Sequence, residues 1–293
     1  MRSEFHPRYN KPMGRRWPCA AGTFYPADSQ RLHDEVEAAL GGDPRDLVPA
    51  RDLTGPVGAL LPHAGYRYSG RVAGAGYRAL ATLGRPEAVI VLGTNHTGLG
   101  GPITVGEPGT WDTPLGEFSV PADLSGHVAE ALSADLSDLP FADEHSVEVQ
   151  LPFLRYLFGP VPVVPVVVQH LGPEHAAVVG AGLGKLVAGR PVALLASSDL
   201  THYEPDETAR EKDRRALAAI LNLDVDGFYA TVIRYQISIC GVGAIALLLA
   251  AAREAGLFGA ELLDYRTSGE VAGHLEQVVG YAAVLFRRVD DVA

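Results

Sequence analysis

Three residues in this sequence could together bind a transition metal. His63 and His96 each follow a short apolar run of the kind that forms a buried strand, and Cys240 stands immediately before the apolar stretch 241–251. If the strands lie side by side, two imidazoles and one thiolate could meet at one point. The sequence therefore predicts a metal site made by His63, His96 and Cys240.

Each of these residue types also has a simpler explanation. A lone histidine is most often a hydrogen-bonded loop or core residue, and a free cysteine is most often a small buried apolar residue. The position of Cys240 favours the metal role, because a helix that begins near Gly241 would lower the pKa of its thiol and favour the thiolate. Cys19 has no such neighbour and is interpreted as structural.

A third apolar run, 192–196, also ends in polar residues, among them Asp199 and His202. Ligands of open α/β sheets bind beyond the carboxyl ends of the strands. We therefore expect Asp199 and His202 to share one crevice with His63, His96 and Cys240. In that crevice His202 would serve as acid or base, and Asp199 would orient it.

The segment 143–150 permits two interpretations. Acidic residues followed by Ser146 are typical of a capped helix start. Alternatively, Glu144 and His145 could orient a ligand histidine or move a proton beside the crevice. The sequence leaves both interpretations open.

Strand-like and helix-like segments alternate along the chain. The apolar runs typical of buried strands are 57–61, 88–92, 161–168, 192–196 and 278–286. The segments with helix-length periodicity are 29–40, 69–83, 146–158, 173–187, 206–221 and 241–255. This alternation predicts a single α/β domain whose mostly parallel or mixed central sheet is flanked by helices.

Charge and cysteine content narrow the classes of partner. The formal net charge is -11, which argues against a nucleic acid or an anionic membrane surface, because both would favour a basic face. The charge is still compatible with a small molecule or a peptide as the ligand of the crevice. Two cysteines cannot form a disulfide framework and fit a reducing compartment.

The N-terminal segment and the most apolar helix candidate bear on where the protein is located. Residues 1–16 are polar and basic without the apolar stretch of a signal peptide, so we expect a flexible N-terminal arm followed by one domain over 17–288. The most apolar helix candidate, 244–252, is far shorter than the roughly 20 residues of a membrane span. We expect a soluble, cytoplasmic protein.

Seven short motifs resemble the Memo family, the cell-motility mediator proteins and their bacterial relatives. In chain order these motifs are Ala21–Pro26, Pro62–Tyr66, Leu92–His96, Thr113–Gly116, Asp143–Ser146, Ser197–Asp199 and Ile239–Gly241. The resemblance extends from about Cys19 to Phe286, and the motifs together are highly specific. The resemblance implies a fold related to the class III extradiol ring-cleaving dioxygenases.

The resemblance also implies roles for particular residues. His63, His96 and Cys240 look like the family's metal ligands, and Asp199 and His202 look like groups that line the same pocket. Glu144, His145 and Tyr66 are candidates for residues that contact and orient the metal ligands without binding the metal themselves. Family proteins are similar in binding iron or copper, with zinc as a further candidate, and have been linked to redox chemistry and to protein partners.

Three functional hypotheses follow. The first is a metal-binding, redox-related protein with a dioxygenase-like pocket. The second is an active non-haem iron dioxygenase that opens rings, although the dioxygenases place a carboxylate where Cys240 stands and a softer thiolate puts that activity in doubt. The third is a module that holds a peptide or protein partner without catalysis. Metal content and oxygen consumption with a catechol would separate them.

Overall fold

A central mixed sheet organises the chain. The structure is a computed structural model that describes residues 14–41, 47, 49 and 51–289. The strands of the chain are β1 (Arg15–Arg16), β2 (Val57–Leu61), β3 (Ala88–Thr94), β4 (Ile103–Val105), β5 (Gly109–Thr113), β6 (Gly116–Val120), β7 (Asp135–Leu136), β8 (Val163–Val168), β9 (Val192–Ser197), β10 (His202–Glu204), β11 (Gly259–Thr267) and β12 (Val278–Arg287). Strands β1, β5 and β6 form a separate three-stranded sheet, and the others form the central sheet.

Helices cover both faces of this sheet. They are α1 (Ser29–Leu40), α2 (Tyr66–Leu83), α3 (Ala122–Leu132), α4 (His145–Glu148), α5 (Leu151–Phe158), α6 (Pro173–Val187), α7 (Asp206–Leu221), α8 (Val225–Tyr235), α9 (Val242–Glu254) and α10 (Gly269–Ala272). Within the described residues, no helix combines the length and the apolar character that a membrane crossing requires.

The centre of the sheet is parallel, and an antiparallel strand borders it on each side. The strand order is β10-β12-β2-β9-β3-β8-β4-β7, and β11 pairs with β12. Strands β2, β9, β3 and β8 run parallel to one another, whereas β12 and β4 run antiparallel to β2 and β8 respectively. The predicted α/β domain with a mixed sheet is therefore confirmed.

Alternate side chains of the central strands enter two separate hydrophobic cores. Leu60, Ile90 and Leu194 belong to the core that α6, α7 and α9 cover. Ala59, Val91 and Leu195 belong to the opposite core, which α1, α2 and α5 cover. Burial on both faces explains why these strands are nearly continuous apolar runs in the sequence.

Two sequence predictions differ from the structure. The helix predicted over 146–158 is two helices, α4 and α5, because Pro152 has no N–H and its ring would collide with the carbonyl of Glu148 in a continuous helix. Residues 1–13 of the predicted arm lie outside the described residues. At its end, Arg15–Arg16 pairs with β5, and the Arg16 side chain is buried against the Trp111 ring.

Candidate metal site

The strand order brings the predicted site residues together. His63 and His96 each come two residues after a strand, β2 and β3 respectively, and β9 lies between these two strands. All three strands are parallel, so their carboxyl ends meet at one edge of the sheet. Cys240 approaches this edge from the loop that precedes α9.

The three predicted ligands lie close enough for one ion. Their ligand atoms are all within 4.8 Å of one another, and the His63 Nε2 atom is 3.2 Å from the Cys240 Sγ atom. Typical zinc–nitrogen and zinc–sulfur bond lengths in a tetrahedral site imply about 3.5 Å between two such ligand atoms. The two imidazoles and the thiol therefore fit a single transition-metal ion.

Hydrogen bonds behind His63 determine which ring nitrogen can bind metal. The Ser197 hydroxyl donates to the Ser146 carbonyl at 2.6 Å and accepts from the Gln150 side-chain amide at 2.8 Å. Its single proton is thus in use, so at 3.2 Å it can only accept from His63 Nδ1–H. Nε2 therefore faces Cys240. Burial opposes protonation of the ring, but Cys240 and Asp199 raise the pKa of His63 to about 9, so a metal ion would displace the Nε2 proton on binding.

Glu144 fixes which ring nitrogen of His96 carries the proton. The fully buried carboxylate accepts from the His96 backbone N–H at 2.6 Å and lies 2.9 Å from His96 Nδ1. Burial alone would raise the pKa of Glu144, but the His96 imidazole and backbone donors outweigh it and lower the pKa to about 2. An ionised carboxylate can only accept, so His96 Nδ1 carries the proton.

Glu144 is also the N-cap of α4, because the same oxygen that faces His96 Nδ1 accepts from the Ser146 N–H at 2.9 Å. Glu144 therefore caps α4 and orients the His96 ring at once, and a ligand role for that ring stays a prediction. Ser146 is not the cap, since its hydroxyl donates to the Thr94 carbonyl at 2.8 Å.

Cys240 stands just before the N-cap of α9, Gly241. The Asp199 backbone N–H donates to its sulfur at 3.2 Å. Burial opposes ionisation, but the His63 imidazole and the hydrogen-bond donors of His96 and Ser198 lower the pKa of Cys240 well below its ordinary value. The thiolate is the form that binds metal.

Gly241 allows this close packing. A Cβ at Gly241 would lie 2.5 Å from Ser198 Cβ and 2.9 Å from Thr94 Oγ1. The Gly241 N–H donates to the Ser198 hydroxyl at 2.9 Å, which ties the start of α9 to the end of β9. The glycine after Cys240 therefore keeps the thiol beside the histidines.

Asp199 and His202 lie beside this cluster with separate partners. The Asp199 carboxylate accepts from the His63 backbone N–H at 2.8 Å, and burial raises its pKa. His202 Nδ1 lies 2.8 Å from the Ser238 carbonyl. Ser238 therefore orients the His202 ring, a role that the sequence analysis gave to Asp199, while Asp199 holds the backbone of His63. The acid–base role of His202 stays a prediction.

The other two supporting candidates differ in their distance from the cluster. The His145 ring stacks on His96 with centroids 4.6 Å apart and meets His63 edge-on at 5.2 Å. Burial and the two neighbouring imidazoles lower the pKa of His145 to about 3. The Tyr66 hydroxyl donates instead to the Val149 carbonyl at 2.6 Å, so it supports the turn between α4 and α5.

An open groove adjoins the site. It has a volume of about 550 Å³, and its lining includes Phe24, Gly65, Arg67 and Tyr68. The Phe24 ring stacks on His145 with centroids 4.2 Å apart. Phe24 therefore links the lining of the groove to the histidines.

Sequence reasoning did not single out three supporting residues. Ser197 and Gln150 orient His63, as described above. Asp213 of α7 is fully buried, and its carboxylate accepts from the N–H and hydroxyl of Thr201 and from the Tyr265 hydroxyl. The polar residue that ends β9 is a signal for Ser197, but nothing local connects Gln150 or Asp213 to the site.

The geometry defines an α/β protein with a cluster of two histidines and one cysteine at the carboxyl ends of its parallel strands. A profile of the family described as Memo-like protein matches residues 16–285. The chain belongs to the Memo family, which confirms the resemblance inferred from the motifs.

Similar proteins support this assignment over nearly the whole chain. A MEMO1 family protein of Pyrobaculum arsenaticum is 41% identical over 284 residues, covering 93% of this chain and 99% of the relative. One of Methanopyrus kandleri is 41% identical over 282 residues, with the same coverage of both chains. One of Methanosarcina barkeri is 41% identical over 273 residues, covering 92% and 99%.

A solved structure shares the fold at much lower sequence identity. The uncharacterized protein JW3007 from Escherichia coli K12 is similar with a TM-score of 0.52 and 15% sequence identity. The match covers 78% of this chain and 98% of that one. This likeness concerns the fold alone.

Proposed function

We propose that this protein binds one iron or copper ion through His63, His96 and Cys240 and serves a redox-related function in the cytoplasm. The observation that carries the proposal is the convergence of three ligand atoms within 4.8 Å of one another, with both histidines presenting a nitrogen to the thiol. Structural zinc sites usually have four protein ligands. Three ligands leave a position open, which suits a reactive site.

The ligand types favour particular metals. Imidazole suits iron, copper and zinc, and thiolate selects the softer among them, copper(I) and zinc in particular. A bound iron or copper ion would supply one-electron redox chemistry, which zinc would not. Zinc remains a competing occupant in the test below.

The surrounding side chains would control protons and access. His145 packs against both candidate ligand histidines, and its pKa of about 3 keeps it neutral and a weak proton acceptor at pH 7, so it would serve as a packing partner. His202, oriented by Ser238, is the candidate for moving a proton. Phe24 covers the outer face of His145 and would restrict water.

Elemental analysis of protein purified without tags or chelators tests the proposal. We expect about one iron or copper per chain in the wild type, and loss of that metal in His96→Ala and Cys240→Ser. His127→Ala, at an exposed position on α3, is the matched control, since it changes a histidine away from the cluster and should retain the metal. Full metal content in Cys240→Ser would contradict the assignment of the thiolate as a ligand.

Oxygen consumption separates the rival hypotheses. We expect the iron-loaded wild type to consume negligible oxygen with a catechol, because the thiolate replaces the carboxylate of the ring-cleaving enzymes. Robust ring cleavage would favour the dioxygenase instead. A protein without stoichiometric metal would favour a module that binds a peptide or protein partner.

A further inference from the structure

Tyr203 occupies an unusual backbone conformation next to His202. The pairing of β10 with β12 joins His202 to Val279 and Glu204 to Val278, so Tyr203 is the extra residue of a β-bulge. Its φ is +58°, in the left-handed region that glycine or asparagine adopts most easily. Bulges of this kind often place a side chain beside an active site.

The other residues with this backbone conformation have ordinary explanations. Among the described non-glycine residues, positive φ is otherwise found at Ser133, Leu223 and Gln236. Ser133 and Gln236 are the C-caps of α3 and α8, where a left-handed residue normally ends a helix. Leu223 follows α7 and is buried, so its packing offsets the strain.

Tyr203 has neither explanation. It lies within a strand pairing rather than at a helix end, and it is 73% exposed. Packing therefore contributes little to offset its backbone strain. Strain of this kind persists at positions where the surrounding structure and the function require a particular side chain.

The ring of Tyr203 lies at the edge of the candidate metal site. It meets the His202 ring nearly edge-on, with centroids 5.8 Å apart. The His202 backbone N–H donates to the Ser238 hydroxyl at 2.8 Å, and His202 Nδ1 lies 2.8 Å from the Ser238 carbonyl, two residues before Cys240. Tyr203 therefore stands next to the loop that carries the thiol. Tyr68 is a second exposed tyrosine and lines the groove described above.

We propose that Tyr203 is a ligand-contact residue whose exposed ring stacks against a planar, ring-bearing ligand bound beside His202. The inference rests on the proposed function, since it places the ligand at the same site. Tyr203 presents an exposed ring beside His202, and the exposed Tyr68 and the stacked pair of Phe24 and His145 are further aromatic side chains of this region. Aromatic faces favour stacking with planar rings over contact with flexible aliphatic chains.

Titration with 4-nitrocatechol, a coloured planar probe, tests this assignment. Both iron-loaded and metal-free protein are titrated without oxygen, and the metal content of each variant is measured separately. Tyr203→Asn removes the ring and suits the left-handed backbone, whereas Tyr203→Phe keeps the ring. Ser133→Asn gives the same backbone relief elsewhere, and Phe258→Asn removes another exposed ring from the opposite end of the sheet.

We expect Tyr203→Asn to weaken probe binding by about 10-fold, because one stacked ring contributes on the order of a factor of ten. Its metal content should be unchanged and its Tm equal to or above that of the wild type. Tyr203→Phe and both controls should bind the probe within about threefold of the wild type. A lower Tm in Tyr203→Asn would show that the ring is structural and would overturn the inference.

Two other results of the probe titration would also contradict the role of Tyr203. Unchanged probe affinity in Tyr203→Asn, or no binding of the probe by either form of the wild type, would also overturn the inference. Absence of metal from the wild type would refute the proposed function alone, because the titration of the metal-free protein would still report on Tyr203.

Discussion

Replacement of Glu144 by glutamine should damage both the fold and the metal site. The two carboxylate oxygens face three donors: the His96 N–H at 2.6 Å, His96 Nδ1–H at 2.9 Å and the Ser146 N–H at 2.9 Å. Glutamine has one acceptor oxygen and an amide that only donates. In either orientation, its amide would face a backbone N–H in a fully buried position.

The expected loss of stability follows from the donor that glutamine leaves unpaired. One buried, unpaired donor costs about 1–3 kcal/mol, and the lost charge on the acceptor weakens the remaining bonds. We therefore expect Glu144→Gln to lower the free energy of unfolding of the metal-free protein by about 2–4 kcal/mol at pH 7. Metal affinity should fall about 10–100-fold, as is typical when the partner of a ligand histidine is lost.

The effect should depend on pH in a defined direction. The pKa of Glu144 is lowered from 4.5 to about 2 in the folded protein. Its contribution to stability is therefore complete above pH 4.5 and disappears as the pH falls toward 2. The difference in unfolding free energy between the wild type and Glu144→Gln should narrow over this range.

Urea denaturation at several pH values and competition with a coloured chelator measure the two effects. Glu130→Gln, an exposed carboxylate on α3, is the matched control and should change neither quantity. The reasoning is refuted if Glu144→Gln unfolds within about 0.5 kcal/mol of the wild type, the range of ordinary surface substitutions. It is also refuted if metal affinity changes by less than about threefold, well below the usual loss.

Three further substitutions or treatments give clear expectations. Asp213→Asn should lower the free energy of unfolding by about 2–4 kcal/mol in urea denaturation, because an amide cannot accept from all three buried donors around the carboxylate. Gly241→Ala should reduce metal content in elemental analysis, since the new Cβ would lie 2.5 Å from Ser198 Cβ and displace the neighbouring thiol. Mass spectrometry after aerobic iron loading should find oxidation at Cys240 rather than at Cys19, although Cys19 is exposed. Desolvation of the sulfur and the Glu148 carboxylate raise the pKa of the Cys19 thiol, whereas the pKa of Cys240 is lowered.

The central strands were predictable because they are buried on both faces. The predicted run 88–92 corresponds to β3 (Ala88–Thr94), and 192–196 corresponds to β9 (Val192–Ser197). Strand β11 was not predicted, because Glu261 and Asp264 interrupt its apolar pattern and most of its residues are partly exposed. Such a strand forms through pairing with β12 rather than through its own hydrophobicity.

The candidate ligands were predictable for a related reason. A polar residue directly after a buried strand must lie at the carboxyl edge of a parallel sheet, so His63 and His96 could be placed before the topology was known. The order β2-β9-β3 could not be read from the sequence, and it is this order that puts Ser197 behind His63. Gln150 was hidden because Pro152 turns a predicted continuous helix into two, which directs the amide inward.

The geometry of the site also explains why its support is distributed over distant parts of the chain. Each ligand histidine has its Nδ1–H paired with a different element: His63 with the end of β9, and His96 with the N-cap of α4. The thiol of Cys240 is fixed by a third element, the start of α9, through Gly241 and Ser198. A change in any of these elements would move one candidate ligand relative to the other two, so we expect affinity for metal to depend on the packing of the whole sheet edge.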